Sequence, residues 1–553
     1  MTVEAMKSGV RRERTIRAWV VALLMLGWPQ AGAAQAFDNL SIAALPAPRL
    51  AFSEREMALA RAVAGAPDLA DFYGSNGLQP IFLGGEGAAR RAALIGAVRQ
   101  AASHGLPAAR YRQAELRRSD RAGSDDLARE LLFARIFARW SHDITGGILN
   151  PRKMDGGIKR EVLRPATGDV MRQFAQSADP AAVLAGLPMT DPRYEALRRA
   201  LAGQVTPIAP MDAPMVPPGL WREGDSGEAI AALRQRLALL GHSAPPMASE
   251  RSFDAPLTRA VMDFQRSAGL TADGVAGPRT VARLNGDAGP EADGILVALE
   301  RMRWMRGHDL NARHVWVNLP EYQARIFEGG AEIFSTRTVI GKADPDLETP
   351  EFSENMAYMV VNPSWNVPRS ITVKEYLPRL RANRNAVGHL DVVDRAGRVV
   401  PRNRIDFRKY TAANFPYRMR QKPSDDNALG LVKFMFPNPW NIYLHDTPTK
   451  GLFNQTVRAY SHGCIRIGRP FDLAYELLRP QADNPQALFS RALKSGRETY
   501  LNLRPQVPVH LVYFTAFPDE TGAIRRFRDI YGRDAKIAAA LRKAALDSAA
   551  TDE

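Results

Sequence analysis

Cys464 and the histidines near it are the residues best suited to nucleophilic chemistry. Cys464 is the only cysteine among 553 residues, and it follows Ser461, His462 and Gly463 in the stretch AYSHGCIRIG. A thiol attacks a carbonyl carbon as a thiolate, so a catalytic cysteine needs an imidazole nearby that takes its proton. A buried cysteine that only packs is the alternative, and the cysteine by itself does not decide between the two roles.

His445 is the second candidate, nineteen positions before Cys464 in the predicted strand NIYLHDTP. It can reach the thiol only through the fold, and an acceptor on its other ring nitrogen must hold it in one tautomer. Gly463 would let the backbone turn tightly, which leaves the amides of residues 462–464 free to face a developing oxyanion. His445 is thus a candidate base that depends on the fold, and for His462 we expect a structural hydrogen-bonding role more than proton transfer.

The first 36 residues have the three regions of a secretory signal peptide. Basic residues from Arg11 to Arg17 precede the apolar stretch from Ala18 to Trp28, and AGAAQA has the small residues of a cleavage site. The apolar run is too short for a membrane-spanning helix, and an uncleaved anchor is the alternative. No later stretch approaches 18 uncharged apolar residues. The sequence therefore predicts a Sec-type signal peptide over residues 1–36 and a soluble periplasmic protein after its removal.

The net charge and the single cysteine limit the kinds of partner and the kinds of function that the sequence allows. The formal net charge is +15, which predicts a polyanionic partner such as nucleic acid, a membrane surface or an acidic cell-wall polymer. Nucleic acid is not expected as a partner, because no nucleic-acid motif accompanies the charge and the protein is predicted to be exported. Exported proteins use cysteines in pairs, so a solitary thiol needs a reason to be kept, and catalysis supplies one.

Apolar periodicity divides the rest of the chain. Residues 45–205 repeat apolar residues every three or four positions and are predicted to form a helical domain. Residues 206–218 hold five prolines and are predicted to be a stiff linker. Residues 219–286 are predicted to form a compact unit of three helices.

Residues 297–520 change to the alternating pattern of half-buried strands, beginning with the hairpin HVWVNLPEYQARIFEGGAEIF. Within them, residues 372–430 are basic, irregular and partly helical, and we expect them to form an insertion that caps the sheet. Residues 521–553 are expected to be a C-terminal tail. The predicted fold class is multidomain α+β, with two helical regions followed by a mainly β domain.

The compact unit resembles the peptidoglycan-binding three-helix module. The opening GDSG with LRQRL, the centre AVMDFQ and the end DGVAGPRTVARL are all present between residues 219 and 286. The resemblance implies docking to cell-wall glycan or stem peptide. A helical spacer that has lost binding is the alternative.

The spacing His445-x15-Ser461-His462-Gly463-Cys464 resembles the signature of the L,D-transpeptidase catalytic domain, the YkuD family. The stretches ERMRWM, NPSWNVPRSI and VPVHLVYFTAF extend the resemblance to the large periplasmic members of the YcbB type. Those members also carry a helical scaffold domain and a peptidoglycan-binding module. The resemblance implies a YkuD-like β-sandwich for residues 297–520 and a scaffold domain for residues 45–205, with no metal and no cofactor.

The same resemblance implies a role for each motif residue. Cys464 takes the position of the nucleophile and His445 that of the general base. The positions that shape the loop and the oxyanion site fall on His462, Gly463 and Ser461. The candidates for substrate binding are Arg466, Trp365 and Tyr443. Asp446 is not expected to be a third catalytic member, because the family often orients the histidine with a backbone carbonyl.

The implied reaction is acyl transfer between peptidoglycan stem peptides. Cys464 would attack the third stem residue and expel D-alanine, and the side-chain amine of a second stem's diaminopimelate would then resolve the thioester into a 3-3 cross-link. Three outcomes stay open: cross-linking, hydrolysis as an L,D-carboxypeptidase, and transfer to another amine such as a protein lysine.

Other protein classes fit the sequence less well. A serine penicillin-binding enzyme would need Ser-x-x-Lys and a zinc peptidase would need clustered ligands such as His-Glu-x-x-His, and the sequence has neither. A wall-anchoring scaffold without activity is opposed by the presence of both Cys464 and His445.

Overall fold

The computed structural model describes residues 52–121, 126–204, 214–268, 270–285 and 289–550. The predicted signal peptide of residues 1–36 lies outside these ranges, as does most of the predicted proline-rich linker. In the ranges described, no helix is both long enough and apolar enough to span a membrane.

The N-terminal region is helical, as the apolar spacing predicts. The longest of its helices, α5, begins after Asp126, whose carboxylate accepts a hydrogen bond from Arg129 N at 2.8 Å. Phe133, Phe137 and Ile144 recur at helical spacing and are fully buried. The helices of this region are α1 (Glu54–Val63), α2 (Pro67–Ser75), α3 (Gly84–Arg99), α4 (Gln113–Arg121), α5 (Leu127–Gly146), α6 (Pro151–Met154), α7 (Thr167–Gln176), α8 (Pro180–Ala185) and α9 (Pro192–Gln204).

The next region is a small three-helix unit made of α10 (Glu228–Leu239), α11 (Ala255–Ser267) and α12 (Pro278–Leu284). Asp254 caps α11 by accepting a hydrogen bond from Leu257 N at 3.1 Å. The core of the unit is formed by apolar residues from all three helices, including Leu233, Phe264 and Val281. A further helix, α13 (Gly289–Arg303), leads into the sheet.

The C-terminal part of the chain is built on one large sheet. Its strands are β1 (His314–Asn318), β2 (Gln323–Glu328), β3 (Ala331–Gly341), β4 (Phe352–Val361), β8 (Val432–Met435), β9 (Leu444–His445), β10 (Ala459–Ser461), β11 (Ile465–Ile467) and β12 (Thr499–Val512). The insertion between β4 and β8 contains three further strands, which form a separate sheet: β5 (Trp365–Asn366), β6 (Asp391–Val393) and β7 (Arg418–Gln421).

The order of the nine strands is β10-β3-β11-β9-β8-β4-β12-β1-β2, and β2 also pairs with β3. The sheet therefore closes on itself, and the expected β-sandwich takes the form of a closed sheet. Val317, Met359 and Phe434 lie in the core that it encloses. Helices α16 (Pro470–Leu478) and α17 (Pro485–Lys494) complete this core. The predicted α+β fold class is confirmed.

The insertion has a sheet and a core of its own. Strand β7 lies between β5 and β6, and the helical segment beside them consists of α14 (Arg369–Ile371), a π-helical turn (Thr372–Tyr376) and α15 (Leu377–Ala382). Leu380, Phe407 and Met419 are buried together. This region, which we call the cap, is therefore more ordered than the irregular insertion that the sequence suggests.

Residues 521–553 were expected to form a tail, and the structure gives the described part of them a packed position. Strand β14 (Ile524–Arg526) pairs with β13 (Ala516–Pro518), and α18 (Arg533–Ala550) follows. Ile537 of α18 is fully buried in one cluster with Trp304 and Ile158. Helix α18 thus packs against both the helical region and the helix that leads into the sheet.

Buried charges on α13 connect the helical region to the sheet domain. Glu300 accepts a hydrogen bond from Leu149 N at 2.8 Å and pairs with Arg303, also at 2.8 Å. Arg303 in turn donates to the His104 carbonyl at 2.8 Å. Both charged side chains are fully buried, so each depends on the other to offset the cost of desolvation.

We predict that Arg303→Met lowers the free energy of unfolding of the full chain by about 3–5 kcal/mol, because it leaves the buried Glu300 charge unpaired. Arg199→Met, at an exposed position of α9, is the matched control and should change it by under about 0.5 kcal/mol. Urea denaturation followed by circular dichroism measures both. Equal losses for the two variants would show that the buried pair does not stabilise this junction.

Candidate active site

Parallel pairing of β9 with β11 brings the two candidate catalytic residues to one face of the sheet. Leu444 pairs with Ile465, and His445 pairs with Arg466. Paired residues on neighbouring strands point to the same face, and side chains two positions apart along a strand share that face. His445, Arg466, Cys464 and Tyr443 therefore lie together, although nineteen residues separate Cys464 from His445 in the chain.

His445 is held in one orientation by a backbone carbonyl. Its side chain is buried, and Nδ1 lies 2.5 Å from the Asp446 carbonyl oxygen. A carbonyl oxygen only accepts, so Nδ1 carries the proton and Nε2 is left with a free lone pair. This tautomer is the one that a general base requires.

The surroundings keep both reacting groups neutral. Burial, reinforced by the positive charges of Arg466 and Lys433, lowers the pKa of His445 to about 3. Burial raises the pKa of the Cys464 thiol to about 11, although hydrogen bonds with Tyr443 and the charge of Arg466 act in the opposite direction. The resting site at neutral pH therefore holds a thiol and a neutral imidazole, not a thiolate and an imidazolium.

The Cys464 thiol lies next to polar groups of the segment that leads into β9. Cys464 is half-buried, and its Sγ donates to the Asn441 carbonyl at 3.5 Å. The Tyr443 ring lies 5.7 Å from the His445 ring, between centroids, with the two in edge contact. Tyr443 thus contacts both catalytic candidates.

Lys433 is a site residue that sequence reasoning missed. It is the register partner of His445 on β8, so Lys433, His445 and Arg466 form a row across three strands. Its Nζ lies 5.9 Å from the centroid of the Tyr443 ring. The alternation in LVKFMF, with Val432 and Phe434 buried in the core, was the signal that places Lys433 on the outer face.

Ser461 and Gly463 shape the loop that carries the thiol. Gly463 has φ +106°, a conformation that residues with a side chain rarely adopt. The Ser461 hydroxyl accepts a hydrogen bond from Gly463 N at 3.2 Å and donates to the Cys464 carbonyl at 2.5 Å. These bonds close a tight turn around Gly463, which ends the extended run of β10 immediately before the thiol.

His462 contacts the cap through its ring. Its side chain is exposed, and Nε2 lies 2.6 Å from the Glu375 carboxylate in the π-helical turn. The His462 ring therefore connects the catalytic loop with the cap.

Trp365, Arg466 and Tyr443, which the sequence suggests for substrate binding, occupy different environments. Trp365 is only 9% exposed and packs in the core of the cap, with its ring 6.5 Å from that of Tyr376. Packing in the cap accounts for this side chain, and its role in substrate binding stays a prediction. Tyr443 and Arg466 are half-buried beside Cys464.

The Asp446 side chain stabilises the turn before β8 through hydrogen bonds. Its carboxylate accepts hydrogen bonds from Thr447 N at 2.7 Å and from Leu431 N at 2.9 Å, and it pairs with Lys450. Only its backbone carbonyl contacts His445. Across the described ranges, no group of three or more His, Cys, Asp or Glu side chains is placed to hold a metal ion.

Three protein families match successive parts of this chain. Residues 67–201 match the scaffold domain, and residues 226–284 match the family described as "Putative peptidoglycan binding domain". Residues 312–495 match the YkuD family, described as the L,D-transpeptidase catalytic domain. The last match contains every residue of the site described above.

A protein of Haemophilus influenzae described as "Putative L,D-transpeptidase" is 36% identical over 225 residues. The match covers 40% of this chain and 45% of that protein, so the chain spans under half the length of this curated relative.

Two solved structures also align with the chain, each at 14% identity over 54% of its length. One is an L,D-transpeptidase from Xylanimonas cellulosilytica, covered to 98% with a TM-score of 0.14. The other is a fused Zn-dependent amidase/peptidase/peptidoglycan-binding domain-containing protein from Clostridium acetobutylicum, covered to 100% with a TM-score of 0.15. Residues 312–495 thus match the YkuD family of L,D-transpeptidase catalytic domains, in a chain that also matches a scaffold domain and a peptidoglycan-binding domain.

Proposed function

We propose that this protein is a peptidoglycan L,D-transpeptidase that uses Cys464 as nucleophile and His445 as general base. The observation that carries the proposal is the His445 ring, fixed by the Asp446 carbonyl so that Nε2 is unprotonated, on the strand that pairs with the cysteine strand. The match of residues 312–495 to the catalytic domain supports the reaction class.

In the first half-reaction, Cys464 Sγ attacks the carbonyl carbon of the third residue of a tetrapeptide stem. His445 Nε2 takes the thiol proton as the S–C bond forms and gives it to the departing amine, so D-alanine leaves and a thioester remains. Since both groups start neutral, the proton moves during the attack and not before it. Arg466 and Lys433 stabilise the thiolate character that develops on sulfur.

In the second half-reaction, the side-chain amine of a diaminopimelate on another stem attacks the thioester. His445 accepts a proton from that amine as the C–N bond forms, the C–S bond breaks, and His445 returns the proton to sulfur, so the thiol is restored and a 3-3 cross-link is released. The amine must be held close while water is kept away. The cap contributes to this exclusion, because its core packs against Tyr443 beside the thiol.

The remaining parts of the chain fit the same substrate. We propose that residues 219–286 dock the protein on cell-wall glycan or stem peptides and that residues 1–36 direct it to the periplasm. The domain limits are proposed as residues 45–205 for the scaffold, 206–218 for the linker and 297–520 for the catalytic domain.

Incubation of the purified full chain with disaccharide-tetrapeptide, followed by mass spectrometry, tests the proposal. A cross-linked dimer is expected. Tripeptide without dimer would identify an L,D-carboxypeptidase, and an adduct to a supplied amine would identify transfer to another acceptor. Recovery of unchanged substrate would contradict the proposed function.

We predict that Cys464→Ala abolishes acyl-enzyme formation. The wild-type protein should gain the mass of the acyl group on incubation with a tetrapeptide stem, since the chain has one cysteine. Intact-protein mass spectrometry measures this gain. Cross-linking by Cys464→Ala would rule out the cysteine mechanism.

Substitution of the two histidines near Cys464 compares the proposed general base, His445, with His462, which is not expected to take the proton. His445→Ala should slow acylation by about 10²–10⁴-fold, because it removes the general base. His462→Ala should slow it less than about tenfold, because His462 contacts Glu375 and not the thiol. Single-turnover acylation measures both rates. The reverse order would assign the proton transfer to His462.

The neutral resting site makes alkylation of Cys464 dependent on pH. Since the folded pKa is about 11, the thiolate fraction rises about tenfold for each pH unit below that value. The rate of reaction with iodoacetamide should therefore climb steadily from pH 7 to pH 10, with Cys464→Ala as the unlabelled control. A rate that reaches its plateau below pH 8 would instead indicate a thiolate-imidazolium pair.

A further inference from the structure

A loop next to the catalytic motif is anchored to the peptide unit that precedes the nucleophile. Thr349, which is fully buried, donates its hydroxyl hydrogen to the Gly463 carbonyl at 2.8 Å. The same hydroxyl accepts a hydrogen bond from Gly341 N at 2.9 Å, at the end of β3. The loop approaches so closely that a Cβ on Gly341 would collide with the Leu347 carbonyl.

This contact fixes the direction of the Cys464 amide. A trans peptide unit is planar, so its carbonyl and the following N–H point in opposite directions. Because Thr349 holds the Gly463 carbonyl, the Cys464 N–H must point away from Thr349. On the other side of the residue, Ser461 holds the Cys464 carbonyl at 2.5 Å. Both peptide units that flank the nucleophile are therefore tied to hydroxyl groups.

The C-terminal segment holds Thr349 in place. The Tyr531 hydroxyl donates to the Gly341 carbonyl at 2.7 Å and accepts a hydrogen bond from Thr349 N at 3.3 Å. Arg533 donates to the Thr349 carbonyl at 3.1 Å and pairs with Glu348 at 2.8 Å. The Arg533 side chain is fully buried, so this network is a packed part of the fold.

Scaffold residues reach the same loop. Lys159 N donates to the Glu351 carbonyl at 2.9 Å, and Glu351 N donates to the Gly157 carbonyl at 2.8 Å. Arg533 also pairs with Glu351 at 3.1 Å. The loop that holds the nucleophile's peptide unit is thus fixed from the scaffold region and from the C-terminal segment together.

We propose that Thr349 is a positioning residue for acyl transfer: its hydroxyl sets the Gly463–Cys464 peptide unit so that the Cys464 N–H donates to the oxyanion that forms when the thiol attacks. The inference rests on the proposed function, in which Cys464 is the nucleophile. Tyr531 and Arg533 act through Thr349, and none of the three contacts the reacting atoms.

Two reactions of the same thiol separate positioning from general loosening of the fold. Alkylation by iodoacetamide needs the thiolate but develops no oxyanion, whereas acylation by a stem peptide needs both. A variant that only misdirects the Cys464 N–H should lose acylation and keep alkylation. A variant that loosens the whole site should change both.

The test compares Thr349→Val, which removes the hydroxyl at nearly constant shape, with Thr349→Ser, which keeps it. Acylation of the full-length chain by a tetrapeptide stem should fall about tenfold to a hundredfold in Thr349→Val. Its alkylation rate should stay within about threefold of wild type from pH 7 to pH 10. Thr349→Ser should restore acylation to within about threefold of wild type, since the hydroxyl can form both hydrogen bonds.

Any other result would contradict either the role of Thr349 or the proposed function. Wild-type acylation in Thr349→Val, or equal losses of acylation and alkylation, would overturn the role of Thr349. A wild-type protein that is alkylated but never acylated would overturn the proposed function. If Thr349→Val is unfolded at the assay temperature, Tyr531→Phe makes the same comparison, because it removes one hydroxyl and leaves the ring packed on Tyr513.

Discussion

The parallel pairing between β9 and β11 is the interaction on which the site depends. It places His445 beside Arg466 and brings Cys464 to the same face, at a point where the chain has just turned through Gly463. Strands β8 and β3 flank this pair and fix it within the closed sheet. The loop after β3 and the C-terminal segment then hold the peptide unit before the thiol. The large sheet therefore functions as a rigid frame for two short strands, of which β9 has only two residues.

Burial keeps the His445 imidazole and the Cys464 thiol uncharged at neutral pH. Burial penalises both the imidazolium and the thiolate; the charges of Arg466 and Lys433 add to the penalty on the imidazolium, and they only partly offset the penalty on the thiolate. A neutral thiol is less reactive toward oxidants than a thiolate, which would suit a lone cysteine in the periplasm, the location we propose. In the proposed mechanism, reactivity then depends on a bound substrate, whose carbonyl carbon receives the sulfur while His445 receives the proton. Arg466 and Lys433 supply the positive field without forming a permanent ion pair with sulfur.

The sequence was sufficient for the fold class, because periodicity decides it, and it supplied His445 and Cys464 as candidates for the site through residue type and the resemblance to the YkuD family. Apolar residues every three or four positions predicted the helices, and alternation predicted the strands of the sheet. The sequence was insufficient for features that depend on contacts between residues far apart in the chain. Trp365 looks like a binding residue in isolation but packs in the cap, and the expected tail contains Arg533, buried among acidic partners. Local alternation places Lys433 on the outer face of its strand, but its position beside His445 depends on strand register, and Thr349 reaches the site through loop packing that no local pattern displays.

The central claim is that His445 is a neutral imidazole protonated at Nδ1, with Nε2 free to take the thiol proton. Nitrogen-15 NMR of the full chain labelled at its histidine ring nitrogens tests it most directly, with the His445 signals assigned by their loss in His445→Gln. We predict a protonated Nδ1 and an unprotonated Nε2 from pH 5 to pH 8, since the pKa of His445 lies at about 3. An imidazolium in that range, or a proton on Nε2 in place of Nδ1, would contradict the account.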